Sequence, residues 1–207
     1  MTPGPDRKFP SLYFEQKLWR GGWKRIAGVD EAGRGAWAGP VCAAAVLLPA
    51  GPELARTLPG VRDSKQMTPL EREAWAPRIR EAALAWGVGF ASSQEIDTLG
   101  IVPATRLAAT RALDQLSPDY LLTDYLIFRE IPLPQTGLVK GDCLSLSIAA
   151  ASVLAKTTRD ALMRALDGQY PGYGFARHKG YGTRLHQEAI QRLGLCAIHR
   201  QTFWIKK

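Results

Sequence analysis

Apolar and polar positions along this 207-residue chain follow two different periods, and the switches between them mark its elements. RIAGVD reads as a strand whose apolar run, Ile26–Val29, stops at two acids, Asp30 and Glu31. PVCAAAVLLP is apolar throughout, the pattern of a strand buried on both faces. The short GRGAWAG link between them predicts an antiparallel pair. LAWGVGFAS predicts a third strand, and DYLLTD and TGLVKGD two shorter ones. SLYFEQKLWR (11–20) predicts a short helix. Thr68-Pro69-Leu70-Glu71 is a capping box with proline at the first helical position, so a helix starts there, and Pro77 is expected to kink it or end it early. SSQEIDTLG opens a capped helical stretch, and PATRLAATRALDQL is amphipathic. LSLSIAAASVLAKTTRDALMRALD is a long helix with a small-residue face suited to close packing. Thr183–Leu193, closed by Gly194, is the last helix. Residues 1–10, rich in proline and glycine, are expected to be loose. A hairpin followed by alternating helices and strands predicts an α/β fold, a mixed central sheet flanked by helices.

Composition narrows the function classes. The hydrophobic content of 46% is ordinary for a globular domain, whereas the net charge of +8 leans toward a polyanionic partner. No apolar run approaches the roughly 20 residues of a membrane span, and the N-terminus lacks an apolar export segment. A cytoplasmic protein is expected. Cys42, Cys143 and Cys196 are far apart among apolar residues and read as reduced packing residues. The six tryptophans form no evenly spaced stacking platform and are expected to pack.

Asp124 and Asp142 share the setting of Asp30, each closing a strand candidate. Sites gather at strand ends in α/β sheets. If Asp30, Glu31, Asp124 and Asp142 converge, like-charge repulsion of about 4 kcal/mol per pair at 4 Å and an effective dielectric near 20 must be relieved by protons or cations. Oxygen-only ligands suit Mg²⁺ or Mn²⁺, and paired ions of this kind cleave phosphodiesters. The bland alternative is that each aspartate caps a turn; Asp142 in particular could cap the following helix. Adjacency raises a further difficulty, because a regular strand aims Asp30 and Glu31 at opposite faces.

Five motifs in order, GVDEAGRG, DSK (Asp63–Lys65), KGD (Lys140–Asp142), AAASVLAK (Ala149–Lys156) and HKGY (His178–Tyr181), resemble bacterial ribonuclease HII over about Arg25 to Phe203. The resemblance implies a ribonuclease H-like fold in residues 25–207, with 1–24 as an N-terminal extension. It implies Mg²⁺- or Mn²⁺-dependent cleavage of RNA paired to DNA, and of DNA duplex 5′ to a single embedded ribonucleotide. Products would carry 5′-phosphate and 3′-hydroxyl ends, serving ribonucleotide excision repair and primer removal. Asp30, Glu31, Asp124 and Asp142 are then the catalytic, metal-holding carboxylates. Gly33, Arg34 and Gly35 read the RNA strand, exposed amides and carbonyls pairing with a 2′-hydroxyl. Ser64, Lys65, Ser152, Lys156, His178, Lys179 and Tyr181 are the other substrate contacts, Tyr181 against the deoxyribose that follows the ribonucleotide. His186 and His199 are expected to be structural. The family usually has glycine after the aspartate matched by Asp124, and here Tyr125 follows. A monomer with no protein partner and no sliding-clamp peptide is expected. The rivals are a junction resolvase or integrase, which needs no 2′-hydroxyl, and a non-catalytic nucleic-acid binder. A dinucleotide-binding protein is disfavoured because GRGAWAG has the wrong glycine spacing.

Overall fold

The structure, a computed structural model, describes residues 9–51 and 53–204. Most of the segment expected to be loose, residues 1–8, lies outside the described residues. In chain order the elements are α1 (Tyr13–Arg20), β1 (Ile26–Ala32), β2 (Val41–Leu47), α2 (Leu54–Thr57), α3 (Pro69–Ala82), β3 (Ala85–Ala91), α4 (Ser93–Leu99), α5 (Ile101–Leu113), β4 (Tyr120–Asp124), β5 (Gln135–Leu138), α6 (Gly141–Leu144), α7 (Leu146–Gln169), α8 (Phe175–His178), α9 (Arg184–Leu193) and α10 (Gln201–Trp204). A single 3-10 turn, Ser64–Gln66, precedes α3.

The five strands form one mixed sheet in the order β3-β2-β1-β4-β5. The β1–β2 hairpin and β3 are antiparallel, and β4 and β5 run parallel to β1. β2 is buried along its whole length, as its unbroken apolar run requires. Its Cys42, Ala44 and Val46 join the core under α7 and α3, while Ala43, Ala45 and Leu47 join the core under α5. β1 alternates likewise, with Ala27 and Val29 on the α5 side. On the other face Gly28 leaves room for α7: a Cβ there would stand 2.2 Å from the Ser147 carbonyl carbon. α7 therefore lies directly on the strand that carries Asp30. No helix among the described residues is long and apolar enough to cross a membrane.

The Thr68 capping box forms as expected, but Pro77 does not end α3 early, and the helix continues to Ala82. The lost backbone bond is outweighed by packing, since Ala76 and Ile79 on either side of Pro77 are buried in the core. The strand expected over TGLVKGD stops at Leu138. Lys140 then takes a left-handed conformation and turns the chain into the one-turn helix α6, which carries Asp142. Asp142 does not cap α7; Ser145 does, its hydroxyl accepting the Ile148 N–H.

Candidate active site

Three elements converge where β1 and β4 end. Carboxylate oxygens of Asp30 (β1), Asp124 (the last residue of β4) and Asp142 (α6) all lie within 4.8 Å of one another. The parallel register of β1 and β4, with Val29 opposite Thr123, brings the first two level. The third is tied in by the Gly141 N–H, which donates to Asp124 Oδ1 at 2.8 Å. Asp30 is only 4% exposed. Its Oδ1 accepts the Glu31 N–H at 2.8 Å, while its Oδ2 is buried without a hydrogen bond of regular geometry, the Ser152 hydroxyl being the side-chain group that favours the Asp30 charge. A buried carboxylate oxygen so placed is costly unless a cation or a proton answers it.

The charges behave accordingly. Burial, followed by the nearby Glu31 and Asp124 charges, pushes the Asp30 carboxyl well above the usual carboxylate range. Burial also raises Asp142, to about 6, with Asp124 and Asp63 adding to it. Lys65 Nζ stands 3.8 Å from Asp142 Oδ2. Desolvation works against the Lys65 charge, but Asp30, Asp63, Asp142 and Asp124 together outweigh it and raise its pKa. All-oxygen donors crowded in this way fit a hard divalent ion such as Mg²⁺ or Mn²⁺.

Glu31 does not join the trio. β1 stays regular through Ala32, pairing Glu31 with Ala43, so the two acids do face apart. Burial raises the Glu31 pKa, and Arg34 is the chief influence against that rise, its Nη1 lying 3.1 Å from Glu31 Oε1. Glu31 instead lines an adjoining cavity of about 490 Å³ with Gly33, Arg34, Gly35, Ser64, Lys65, Lys156 and Tyr181.

The GRG turn is shaped from below by two buried arginines that sequence reasoning missed. Arg200 donates to the carbonyls of Gly33 (2.7 Å), Arg34 (2.8 Å) and Gly39 (3.0 Å). Arg159 donates to those of Ala38 (3.1 Å), Pro40 (2.8 Å) and Lys179 (2.9 Å). Gly33 has φ +92, and a Cβ on it would fall 1.9 Å from Arg159 Nε. The carbonyls of Gly33 and Arg34 are thus engaged inside the protein. Ser152 is buried and gives its hydroxyl to Ser64 at 2.9 Å. Lys156 Nζ pairs with Asp160 at 2.8 Å and sits 5.3 Å from the centre of the Tyr181 ring, with the Arg159 guanidinium at 5.4 Å.

His178 is not on this cavity. All three histidines of the chain form one buried stack, with His178 and His186 ring centres 4.4 Å apart. The Gly180 N–H donates to His178 Nδ1, and His178 Nε2 donates to the Tyr173 carbonyl. The Cys196 N–H donates to His199 Nδ1, which leaves His199 Nε2 to donate to His186 Nε2 at 3.0 Å. His186 Nδ1 then donates to the Tyr181 carbonyl. Each ring is neutral in this network, which holds the HKGY turn that bears Tyr181. Lys179 bonds the Ala176 carbonyl.

Burial lowers all three histidine pKa values from 6.5, that of His186 to about 4. As pH falls the unfolded chain takes these protons first, so the stack's contribution is present above about pH 6.5 and lost toward pH 4. The raised carboxylates run the opposite way, so the comparison must be with a variant. His186→Gln should melt lower than the wild type at pH 7.5, and the gap should narrow as pH falls from 6.5, each pH unit of depression corresponding to about 1.4 kcal/mol. A gap that stays constant with pH would contradict the neutral stack.

Tyr125 explains the family's usual glycine. The backbone there has φ +64, and the side chain is 69% exposed. A non-glycine residue in this left-handed region costs about 1–2 kcal/mol. The turn survives the replacement: Tyr125 N–H donates to the Leu138 carbonyl and Leu126 N–H to that of Asp124. The strand end that presents Asp124 is intact.

Known proteins show the same arrangement of chain and fold. The family model described as Ribonuclease HII matches residues 27–206. A Ribonuclease HII from Syntrophotalea carbinolica is 54% identical over 201 residues, covering 96% of this chain and 94% of its own. Among solved structures, the RNase HII of Archaeoglobus fulgidus, determined as a PCNA:RNase HII complex, aligns with a TM-score of 0.70 at 22% identity over 88% of this chain and 95% of its own. Bst-RNase HIII in complex with Mn²⁺ aligns at 0.63 and 22% identity, over 93% of this chain and 69% of its own. At such identities the structures speak for the ribonuclease H-like fold, and the sequence match speaks for the family. With its mixed sheet and its acids on β1 and at the end of β4, the chain belongs to the ribonuclease HII family and is a ribonuclease H, a hydrolase.

Proposed function

We propose that the protein is an endonuclease that hydrolyses RNA in RNA–DNA hybrids and cuts 5′ to single ribonucleotides in duplex DNA, leaving 5′-phosphate and 3′-hydroxyl ends. Ribonucleotide excision repair and primer removal in the cytoplasm are the roles that follow. The observation that carries the reading is the Asp30–Asp124–Asp142 trio, with a buried oxygen on Asp30 that lacks a regular hydrogen bond, beside a cavity lined by the GRG turn. Asp30, Asp124 and Asp142 hold divalent ions, and Glu31, on the cavity side, is the fourth carboxylate. Divalent ions held by these carboxylates would supply the means to activate water and to stabilise the departing 3′-oxygen. Lys65, beside Asp142, meets the phosphate of the incoming strand, and Lys156 adds positive charge to the same cavity. Residues 25–207 carry this chemistry, with 1–24 as an N-terminal extension whose helix α1 packs on them through Phe14, Leu18 and Trp19.

Gly35 supports the strand-reading role of the turn. A Cβ added to it would meet nothing within 4 Å, so no neighbour in the fold demands glycine there. Bare backbone at the rim of the cavity suits close approach by a nucleic-acid strand. Because the Gly33 and Arg34 carbonyls are bound by Arg200, a 2′-hydroxyl is read by the remaining groups of the turn. Gly35→Ala should leave stability within about 0.5 kcal/mol of the wild type. It should lower kcat/KM on the single-ribonucleotide duplex about tenfold, a loss of about 1.4 kcal/mol in transition-state stabilisation. Unchanged kcat/KM would remove Gly35 from the reading surface.

The function is tested with three duplexes: all-DNA, DNA with one ribonucleotide, and an RNA–DNA hybrid. Cleavage of the last two alone, with the single-ribonucleotide duplex cut on its 5′ side, is the expected result. Cleavage of the all-DNA duplex would favour a resolvase-like reading, and metal-independent binding without cleavage a binding protein.

A further inference from the structure

Glu15 lies outside the stretch matched by the family model, yet it is almost fully buried. Its Oε1 accepts three hydrogen bonds: from Ser145 Oγ at 2.6 Å, Ser147 Oγ at 2.8 Å and the Ser147 N–H at 3.0 Å. Ser145 is the joint between α6 and α7. It closes α6, its N–H donating to the Gly141 carbonyl, and it caps α7 with its hydroxyl. Ser11, just ahead of α1, straps the same joint from outside: its N–H donates to the Leu144 carbonyl, and its own carbonyl accepts the Leu146 N–H, both at 3.1 Å. Ser147 is also the residue on which β1 rests at Gly28, two positions before Asp30 and on the same face.

One carboxylate therefore fixes the joint that aims Asp142 and the helix surface that seats the strand of Asp30. We propose that Glu15 is a positioning residue for the divalent-metal site, acting through Ser145 and Ser147 to set the separation of Asp142 and Asp30. The inference rests on the reading of the carboxylate trio as that site. A purely structural anchor would affect folding but not the affinity of the folded protein for metal. A positioning residue affects both, because a cluster of charged ligands tolerates little displacement before it loses affinity.

The test is calorimetric titration of Mn²⁺ into metal-free wild type, Glu15→Ala, Glu15→Gln and Asp142→Asn, each held well below its own melting temperature. Wild type should bind, and Asp142→Asn should not. Glu15→Ala should weaken binding at least about fivefold, somewhat less than the 10–100-fold typical of groups that bond a metal ligand directly. Glu15→Gln keeps an oxygen that accepts the same three donors and should stay within about twofold. If Glu15→Ala does not fold, Glu15→Asp, whose shorter side chain cannot reach all three donors, takes its place under the same criterion. Glu15→Ala binding Mn²⁺ as tightly as wild type, or Glu15→Gln weakening it as much as Glu15→Ala, would overturn the inference while leaving the trio as the metal site. A wild type that binds no Mn²⁺, or an Asp142→Asn variant that binds normally, would overturn both.

Discussion

Asp142→Asn should reduce cleavage of the single-ribonucleotide duplex by about 10³-fold or more, because it removes a carboxylate charge from the cluster proposed to hold the ions. The fold should not suffer. In metal-free protein the Asp142 carboxyl is already pushed up to about 6, chiefly by burial and then by Asp124 and Asp63. A raised carboxylate pKa means that stability is present when the group is protonated and is lost as pH rises through about 6. Neutral asparagine removes that cost, so the metal-free variant should melt no lower than wild type at pH 7.5. Melting curves with and without Mn²⁺ separate the two effects: wild type should gain stability on adding metal and Asp142→Asn should gain little. Near-normal Mg²⁺-dependent cleavage by the variant would rule Asp142 out as a ligand.

Arg200→Ala should be the most destabilising of the substitutions considered. The side chain is 1% exposed, and its three donors serve three different carbonyls of the loop between β1 and β2. Burial, and then the charge of Arg159, lower its pKa to about 9, so its charge is retained at neutral pH. Truncation leaves a cavity and three inward-facing carbonyls. Each buried group left unsatisfied costs about 1–3 kcal/mol, and water entering the gap recovers part of that, for a net loss of about 3–5 kcal/mol. Arg200→Lys should recover little, since one ammonium on a flexible stem cannot span the three sites. Denaturant unfolding gives the number. A loss below about 1 kcal/mol would show that the loop holds its shape without the arginine.

Much of this architecture is legible along the chain. The unbroken apolar run of β2, the capping boxes at Thr68 and Ser92, and the glycine after α9 act locally, and each element appears where its pattern places it. Asp124 is the last residue of β4 as expected, whereas β1 does not stop at its acids: Asp30 lies two residues inside a strand that runs on to Ala32. What the pattern missed is set by partners distant in sequence. Pro77 reads as a breaker because its neighbours' burial is invisible locally. Asp142 reads as a strand end because nothing in VKGD announces a left-handed Lys140. Arg159 and Arg200 look like two more cations in a basic chain, and only the loop carbonyls they meet reveal them as internal supports. Glu15 carries no local signal at all, its partners lying on α7 and just before it. Nor does the basic pair His178-Lys179 announce that the His178 ring nitrogens bond Tyr173 and Gly180 within the histidine stack.

Family membership removes most of the weight from the rival readings. A resolvase or integrase would share the acids and the fold but not the sequence match from residue 27 to residue 206.

The Asp30–Asp124–Asp142 cluster, read as a divalent-metal site, contains two carboxyls, Asp30 and Asp142, whose raised pKa values favour the protonated form in the absence of an ion. Metal ligation requires the ionised form, so binding must expel protons wherever the free carboxylates hold them. The direct measurement is Mn²⁺ titration by calorimetry at several pH values, each in buffers of different ionisation enthalpy, which yields the protons released per ion bound. Release should be substantial near pH 6, where Asp142 titrates, the Asp142 share of it should decline as pH rises further, and affinity should tighten over the same range. Mn²⁺ binding without proton release near pH 6, or with release unchanged in Asp142→Asn, would contradict the assignment of these carboxylates as the metal site.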